Sequence, residues 1–148
     1  MPLEGQYAPP PAADWVREQI ETWERSGGTE GTTLRETGMP IVIVVNRGAV
    51  SGKLHRTPLM RVEHHGSYLA VGSKGGAPKD PVWVGNLRAD PHVEVWDGPT
   101  RADYVARELD EGDERTAWWD RGVEAYPPYA EYQTRCERLI PLFVLDPA

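Results

Sequence analysis

Residues 58–73, PLMRVEHHGSYLAVGS, contain two β-prone runs that are separated only by the dipeptide His65-Gly66. A connection this short joins antiparallel neighbours, because a parallel crossover requires a dozen or more residues. We therefore predict strands over Pro58–His65 and Ser67–Ser73 that form a hairpin. The same reasoning applied to the turn Gly98-Pro99 predicts a second hairpin.

The segments on either side of these hairpins extend the pattern. Met39–Asn46, MPIVIVVN, is a continuous β-branched run, as is typical of a strand buried on both faces. Arg47–Thr57 is polar and contains glycine, which indicates a loop. The remaining predicted strands are His92–Asp97, Arg101–Leu109 and Pro141–Leu145. The predicted helices run from Asp14 to Gly27-Gly28, from Asp80 (a cap, with Pro81 first in the helix) to about Ala89, from Asp110 to about Ala125, and from Pro128 to about Arg138.

The strands are joined mostly by turns and not by regular crossover helices, which argues against a doubly wound parallel sheet. We predict a mainly β protein with some α structure, a closed or nearly closed antiparallel barrel with helices packed outside it. Residues 14–148 are expected to form this single domain. The Pro-rich residues 1–13 are expected to form a flexible tail.

Composition restricts the class of protein. The chain has 148 residues, a net charge of −7 and a single cysteine, Cys136. It contains no apolar run near the roughly 20 residues that a membrane span requires, and its first residues do not resemble a secretory signal. One cysteine cannot form a disulfide framework. We expect a cytoplasmic protein, and the acidic charge argues against a nucleic acid partner.

A metal site is not predicted. His64 and His65 are adjacent on a strand, so their side chains are expected to point to opposite faces and cannot chelate one ion together. No carboxylate or cysteine lies at a suitable ligand spacing. Cys136 has no obvious partner for nucleophilic catalysis either.

Residues 47–79 carry the opposite charge to the rest of the chain. They contain six basic residues against Glu63 alone, a net charge of +5. Binding of a small anion, such as a phosphate or carboxylate, would explain this charge, and so would chance clustering on a solvated face.

Within the segment, GAVSGK (48–53) half-resembles a P-loop. Leu54 stands where Ser or Thr should bind magnesium, and Pro58 blocks the helix that should follow, so nucleotide triphosphatase activity is excluded.

Two further stretches could form a ligand site. In VGSKGGAPKDPVW (71–83), Gly75-Gly76 leave backbone N–H groups free to approach a planar ligand, with two lysines and a helix start beside them. In YPPYAEYQ (126–133), tyrosines recur every third residue and could line a pocket or donate a hydrogen bond or proton. An ordinary β-to-α loop and an aromatic packing stripe are the competing explanations.

Taken together, SGKLHRTPLMRVEHHGSYLAVGSKGGAPKDPVWVGNLRADPHVEV (51–95), YPPYAEYQ (126–133) and IPLFVLDP (140–147) resemble the deazaflavin-dependent nitroreductase family, and in particular its F420H2-dependent quinone reductases. The resemblance implies a split β-barrel of the FMN-binding type with flanking helices. It also implies coenzyme F420 as cofactor and hydride transfer from the reduced deazaflavin to quinones, and incidentally to nitroaromatics.

The resemblance implies a role for individual residues. The catalytic group comprises Ser73, Tyr126, Tyr129 and Tyr132, and the substrate pocket comprises Met60, Tyr129 and Tyr132. The cofactor group comprises Ser51, Gly52, Lys53, Leu54, His55, Arg56, Thr57, Pro58, Ser73, Lys74, Gly75, Gly76, Ala77, Val82, Trp83 and Asn86. The chain departs from the family pattern at Val50, where members often carry a basic residue, and at Met60, where some carry tyrosine.

Two alternatives remain open at this stage. One is a non-catalytic protein that carries or sequesters F420, and the other is an FMN-dependent oxidoreductase on the same fold. The expected partner is a small quinone or related electron acceptor. An isoprenoid quinone would bring the amphipathic N-terminal helix into weak peripheral contact with the inner face of the membrane, and a homo-oligomer is compatible with the sequence.

Overall fold

The computed structural model describes residues 3–9, 14–34 and 37–148. The helices are α1 (Asp14–Ser26), α2 (Val82–Ala89), α3 (Asp113–Ala125) and α4 (Pro128–Arg135). The strands are β1 (Ile41–Arg47), β2 (Leu54–Met60), β3 (Glu63–His64), β4 (Ser67–Val71), β5 (His92–Asp97), β6 (Thr100–Glu108) and β7 (Leu142–Pro147). Of the predicted tail, residues 1, 2 and 10–13 lie outside the described residues. Residues 6–8 hydrogen-bond to Leu54.

The strands form one antiparallel sheet in the order β2-β1-β5-β6-β7-β4-β3. Both predicted turns, His65-Gly66 and Gly98-Pro99, connect antiparallel strands. The predicted strand Pro58–His65 is wrong, because the chain passes between Met60 and Glu63 from β2, which pairs with β1 at one end of the strand order, to the two-residue β3 at the other end. The sheet curls into a half-barrel, so that Met60 of β2 packs into the same apolar cluster as Leu69 and Val71 of β4. The predicted fold class, a split barrel with flanking helices, is confirmed.

The buried strand β1 explains how the helices are arranged around the sheet. Val42 and Val44 face a cluster that contains Val84 and Leu87 of α2. Ile41, Ile43 and Val45 alternate with them and pack on Ile20 and Trp23 of α1. Side chains alternate across a strand, so a strand covered by helices on both faces is apolar at every position, as the sequence predicted.

Strand β2 begins at Leu54, four residues before the predicted start. The predicted loop shrinks to a tight connection in which Gly48 N–H donates to the Lys53 carbonyl at 2.8 Å, and Arg47 pairs with Leu54. The polar residues of the first half of β2 are tolerated because β2 lies at the sheet edge. The edge position also accommodates Pro58, which cannot donate to a ladder.

Three predicted helix boundaries are wrong. Helix α3 begins at Asp113 because Leu109, buried in the core, still pairs with Leu142 and delays the turn into the helix. Asp80 does not cap α2; its carboxylate bonds to Arg138 instead. Helix α4 ends at Arg135, since Cys136 is extended.

The expected orientation of the two adjacent histidines is also wrong. The rings of His64 and His65 stack, with centroids 3.9 Å apart and planes inclined by 14°. The reason is that His65 belongs to the turn, with a φ of 52°, and so does not follow the alternation of the strand. Within the described ranges, no group of three or more His, Cys, Asp or Glu side chains could hold a metal ion, and no helix is long and apolar enough to cross a membrane.

Candidate functional site

A cavity of about 590 Å³ lies between the end of β2, the loop after β4 and helices α1, α2 and α4. Its lining is mostly apolar and aromatic, with a few polar side chains, as is usual for sites that bind organic molecules. It brings together members of all three predicted groups, namely Pro58, Met60, Ser73, Lys74, Gly75, Trp83, Tyr126, Tyr129 and Tyr132. Helix α1, which was not assigned to the pocket from sequence, contributes Trp15 and Gln19.

One wall of the cavity is a left-handed turn. Lys74, Gly75 and Gly76 have φ values of 45°, 64° and 81°. A Cβ on Gly76 would lie 2.7 Å from the Tyr132 carbonyl oxygen, whereas a Cβ on Gly75 would meet nothing within 4 Å. Gly76 is therefore required for packing against α4, and Gly75 leaves bare backbone at the cavity. The prediction that Gly76 also offers a free N–H is wrong, because this group donates to the Ser73 carbonyl at 2.9 Å.

The guanidinium of Arg138 holds this turn from behind. Its Nε donates to the Ala77 carbonyl at 2.9 Å, and its Nη2 donates to the Ser73 carbonyl at 2.8 Å. Its Nη1 donates to the Gly72 carbonyl at 3.0 Å and to the Asp80 carboxylate at 2.7 Å. Arg138 was predicted only as the end of a helix, and no local pattern distinguishes it from a surface arginine.

The adjoining wall is the tyrosine cluster. Tyr129 is buried, and its ring packs edge-on against Tyr126 with centroids 4.9 Å apart. Burial, with a smaller contribution from the neighbouring phenols, raises the pKa of Tyr129. The hydrogen bond with Tyr132, 3.1 Å between hydroxyl oxygens, raises the pKa of Tyr126 to about 12. Tyr126 and Tyr129 are thus neutral at physiological pH.

Ser73 joins the two walls. It is only 6% exposed and lines the same cavity as Tyr129. Within residues 3–9, 14–34 and 37–148, neither the Ser73 hydroxyl nor the Tyr129 hydroxyl has a hydrogen-bond partner. Both residues line the cavity, so their unpaired hydroxyls are suited to donate to a ligand oxygen.

A smaller cleft of about 150 Å³ adjoins the cavity across Trp83, which lines both. It is bordered by His55 and Thr57 of β2 and by Val82 and Asn86 of α2. Asn46, which was not predicted, lies at its base: its Nδ2 donates to Thr57 Oγ1 at 3.1 Å and its Oδ1 accepts from Asn86 at 2.9 Å. Asn86 Oδ1 in turn accepts from the backbone of Ala49, which ties the cleft to the 48–53 connection.

The predicted cofactor segment 51–58 is divided between two faces. His55 and Thr57 face the cleft, whereas Leu54 is buried in the α1 cluster. Arg56 also faces α1: it pairs with Glu24 and lies over the ring of Tyr7, 5.0 Å from its centroid. Ser51 accepts from the Lys53 N–H at 3.1 Å in the exposed connection, and Gly52 has a φ of 71°.

The positive charge of residues 47–79 is partly neutralised in the fold. Arg47 lies 3.5 Å from Asp90, Arg61 lies 3.0 Å from Asp97, and Arg56 pairs with Glu24. In the part of the chain that the structure describes, Lys53, Lys74 and Lys79 form no ion pair. Three exposed lysines are therefore the cations of this segment that remain available to an anion.

These features define a class of protein: a split barrel, in which a half-barrel sheet with flanking helices borders a mostly apolar cavity. The family model for F420H(2)-dependent quinone reductase matches residues 15–147. The chain belongs to this family of oxidoreductases, whose cofactor is coenzyme F420, and the family resemblance found in the sequence is confirmed.

Individual relatives agree with this assignment. The F420H(2)-dependent quinone reductase Rv1261c of Mycobacterium tuberculosis is 34% identical over 108 residues, which cover 72% of each chain. A solved F420-H2 dependent reductase, FDR-A, is 56% identical with a TM-score of 0.68 and covers 72% of this chain and 94% of its own. A solved structure described as a domain-swapped dimer is 51% identical with a TM-score of 0.71, and covers 92% of this chain and 100% of its own.

Proposed function

We propose that this chain reduces quinones with F420H2 and that the 590 Å³ cavity is the place of reaction. The observation that carries the proposal is a pair of hydroxyl groups, those of Ser73 and Tyr129, which belong to buried residues that line the cavity and which form no hydrogen bond within the described residues. A quinone carbonyl accepts hydrogen bonds, and the oxygen becomes more basic as it is reduced. Donors placed in advance at that oxygen stabilise the transition state.

The residues present fit coenzyme F420. The bare backbone at Gly75 and the indole of Trp83 border the same cavity, and both suit a flat ring. His55 and Thr57 line the adjoining cleft, and Lys53 lies in the connection just before them. We infer that this side holds the phosphate and oligoglutamate appendage, because a multiply anionic group is recognised by cations and hydrogen-bond donors.

When bound, the reduced deazaflavin supplies a hydride. The chain's own contribution is to place the acceptor, to exclude water and to stabilise charge on the acceptor oxygen. Met60, Pro58 and the tyrosine rings provide an apolar surface for the quinone ring. The hydroxyls of Ser73 and Tyr129 donate to the carbonyl oxygen, and the raised pKa of Tyr129 keeps its proton in place at neutral pH.

The direct test is turnover. Purified protein is mixed with F420H2 and a soluble quinone such as menadione, with a nitroaromatic as a second acceptor, and F420H2 oxidation is followed. Sustained oxidation well beyond one equivalent of protein supports the proposal. Oxidation that stops at or below one equivalent would favour an F420 carrier, and a yellow protein that retains stoichiometric FMN would favour a flavin enzyme.

The domain, assembly and location are proposals of the same kind. We propose that residues 14–148 form one domain, since β7 at the C-terminal end pairs with both β4 and β6. A homo-oligomer is supported by the domain-swapped dimer among the similar structures.

We propose a cytoplasmic protein that touches the membrane weakly through α1, where Trp15 is 40% exposed. Co-sedimentation with anionic and neutral vesicles tests the membrane contact.

A further inference from the structure

The turn at residues 73–77 is costly to maintain. Lys74, Gly75 and Gly76 are three consecutive residues in the left-handed region, and Lys74 has a side chain that disfavours it. Strained backbone of this kind persists only where the surroundings hold it in place. The turn's internal hydrogen bonds are only two, from Gly76 N–H to the Ser73 carbonyl and from Ala77 N–H to the Lys74 carbonyl.

Arg138 supplies the external support. Its guanidinium donates to three backbone carbonyls, those of Gly72, Ser73 and Ala77, and to the carboxylate of Asp80. The side chain is only 16% exposed. The acceptors span the turn from its first residue to the approach to α2, so that one planar group fixes both ends of the turn. Lysine could not replace it, because a single ammonium lacks the fork geometry.

The backbone of Arg138 is itself fixed to the tyrosine wall. Gln133 of α4 donates through Nε2 to the Arg138 carbonyl at 2.9 Å, and its Oε1 accepts from the Ile140 N–H at 3.0 Å. Gln133 directly follows Tyr132 and lies one helical turn beyond Tyr129. The connection therefore runs from α4 through Gln133 to Arg138, and from the guanidinium to Ser73 and the turn.

We propose that Arg138 is a positioning residue for the reaction site: it sets the separation between the glycine turn, where the cofactor ring is proposed to lie, and the tyrosines that face the acceptor. Arg138 does not line the cavity and touches no reactant in this scheme. It acts by holding the Ser73 hydroxyl and the Gly75 backbone in register with Tyr129. This inference rests on the proposed function for its catalytic consequence, but its structural part can be measured without cofactor.

The experiment compares R138A and R138K with the control R17A. Arg17 lies on α1, is 43% exposed, pairs with Asp14 and does not line the cavity, so its loss removes an arginine without touching the turn's support. For each protein we would measure amide exchange of residues 72–77 without ligand, the Kd for F420, and the single-turnover rate of F420H2 oxidation by menadione. R138A is also assayed with millimolar guanidinium chloride against sodium chloride at equal ionic strength.

We expect R138A to accelerate amide exchange in residues 72–77 and to lower the single-turnover rate, each by about tenfold or more, since hydrogen bonds to a charged group are lost. Guanidinium should restore part of the rate, and R138K should not recover it. Q133A, which leaves the guanidinium in place but frees its backbone, should change both quantities in the same direction. If R138A does not fold, Q133A replaces it as the test of the proposal.

Unchanged exchange in residues 72–77 of R138A, or of Q133A where R138A is insoluble, would overturn the proposal. A rate that falls in R138A without any response to guanidinium and in proportion to a lowered melting temperature would also overturn it, since that is general destabilisation. If the wild-type protein does not oxidise F420H2, the proposed function fails, while the exchange result still decides whether Arg138 holds the turn.

Discussion

The hydroxyl oxygens of Tyr126 and Tyr132 lie 3.1 Å apart, and the ring of Tyr129 packs edge-on against both of their rings. One of the two paired phenols must donate to the other, so the pair has one O–H left to offer. Tyr129 has no such partner in the described residues and offers its own. The cluster therefore contains two available phenolic donors, and the Ser73 hydroxyl adds a third.

Removal of the unpaired donors should lower the rate of reduction without preventing cofactor binding. We expect Y129F and S73A each to reduce kcat for menadione by about a hundredfold, the usual effect of deleting a donor to a developing oxyanion. The Kd for F420 should change little, because these hydroxyls are proposed to face the acceptor. Steady-state kinetics and a fluorescence titration separate the two quantities.

The matched control is Y104F, because Tyr104 is partly buried on β6 and packs on Tyr68 away from the cavity. It should behave as the wild type. If both Y129F and S73A keep the wild-type kcat, their assignment to the acceptor oxygen is wrong.

The pH dependence of turnover follows from the pKa values of these phenols. A phenol donates a hydrogen bond only below its pKa, and the pKa of Tyr126 is raised to about 12 and that of Tyr129 is also raised. The loss of a donor is therefore shifted to higher pH than for a free tyrosine. We expect kcat to be independent of tyrosine ionisation from about pH 6 to about pH 9. A decrease in kcat near pH 8 that is present in the wild type and absent in Y129F would contradict these raised pKa values.

Much of the fold was predictable because it depends on local patterns. The β-branched run in β1 and the two-residue turn at His65-Gly66 report burial and chain reversal directly. The site was less predictable where it depends on contacts between distant segments. In the sequence, Asn46 is simply the last residue of an apolar strand. Its hydrogen bond with Asn86 forms only because α2 packs against β1 in the fold. Arg138 reads as a charged residue in a charged helix.

The assignment of Arg56 shows how one boundary error propagates. The sequence predicts a loop over Arg47–Thr57, in which neighbouring side chains could converge on one ligand. It contains the first half of strand β2, and alternation sends His55 and Thr57 toward α2 but Leu54 and Arg56 toward α1. If the strand had been predicted to begin at Leu54, alternation alone would have placed His55 and Thr57 on one face and Leu54 and Arg56 on the other.

Charge substitutions should distinguish the residues that bind the anionic tail from those that stabilise the fold. We expect K53Q and K74Q to raise the Kd for F420 by several-fold, with a weaker dependence of Kd on salt than in the wild type, because each removes a cation that has no partner in the described residues. R56Q should instead lower the melting temperature, since it leaves Glu24 without its partner, and should change the Kd little.

The comparison uses titrations at low and high salt together with thermal unfolding. K79Q serves as the control for the change of charge, because Lys79 is exposed, does not border the cavity as Lys74 does, and does not lie in the connection next to the cleft as Lys53 does. A Kd for R56Q that rises as much as that of K53Q would show that Arg56 contacts the cofactor despite its pairing with Glu24.

The two glycines of the turn should respond differently to alanine. Both have a positive φ, so each substitution carries a backbone cost of about 1–2 kcal/mol in folding free energy. At Gly75 the new methyl group meets no protein atom within 4 Å, whereas at Gly76 it would lie 2.7 Å from the Tyr132 carbonyl oxygen. We expect G75A to remain folded with a modest loss of stability but to bind F420 poorly, because its methyl group extends into the space proposed for the ring. G76A should lose considerably more stability, since α4 must move to relieve the contact.

Chemical unfolding gives the two stabilities, and a titration with F420 gives the Kd for each folded variant. Wild-type affinity in G75A would mean that the ring does not approach this backbone, and the cofactor would then have to lie elsewhere in the cavity.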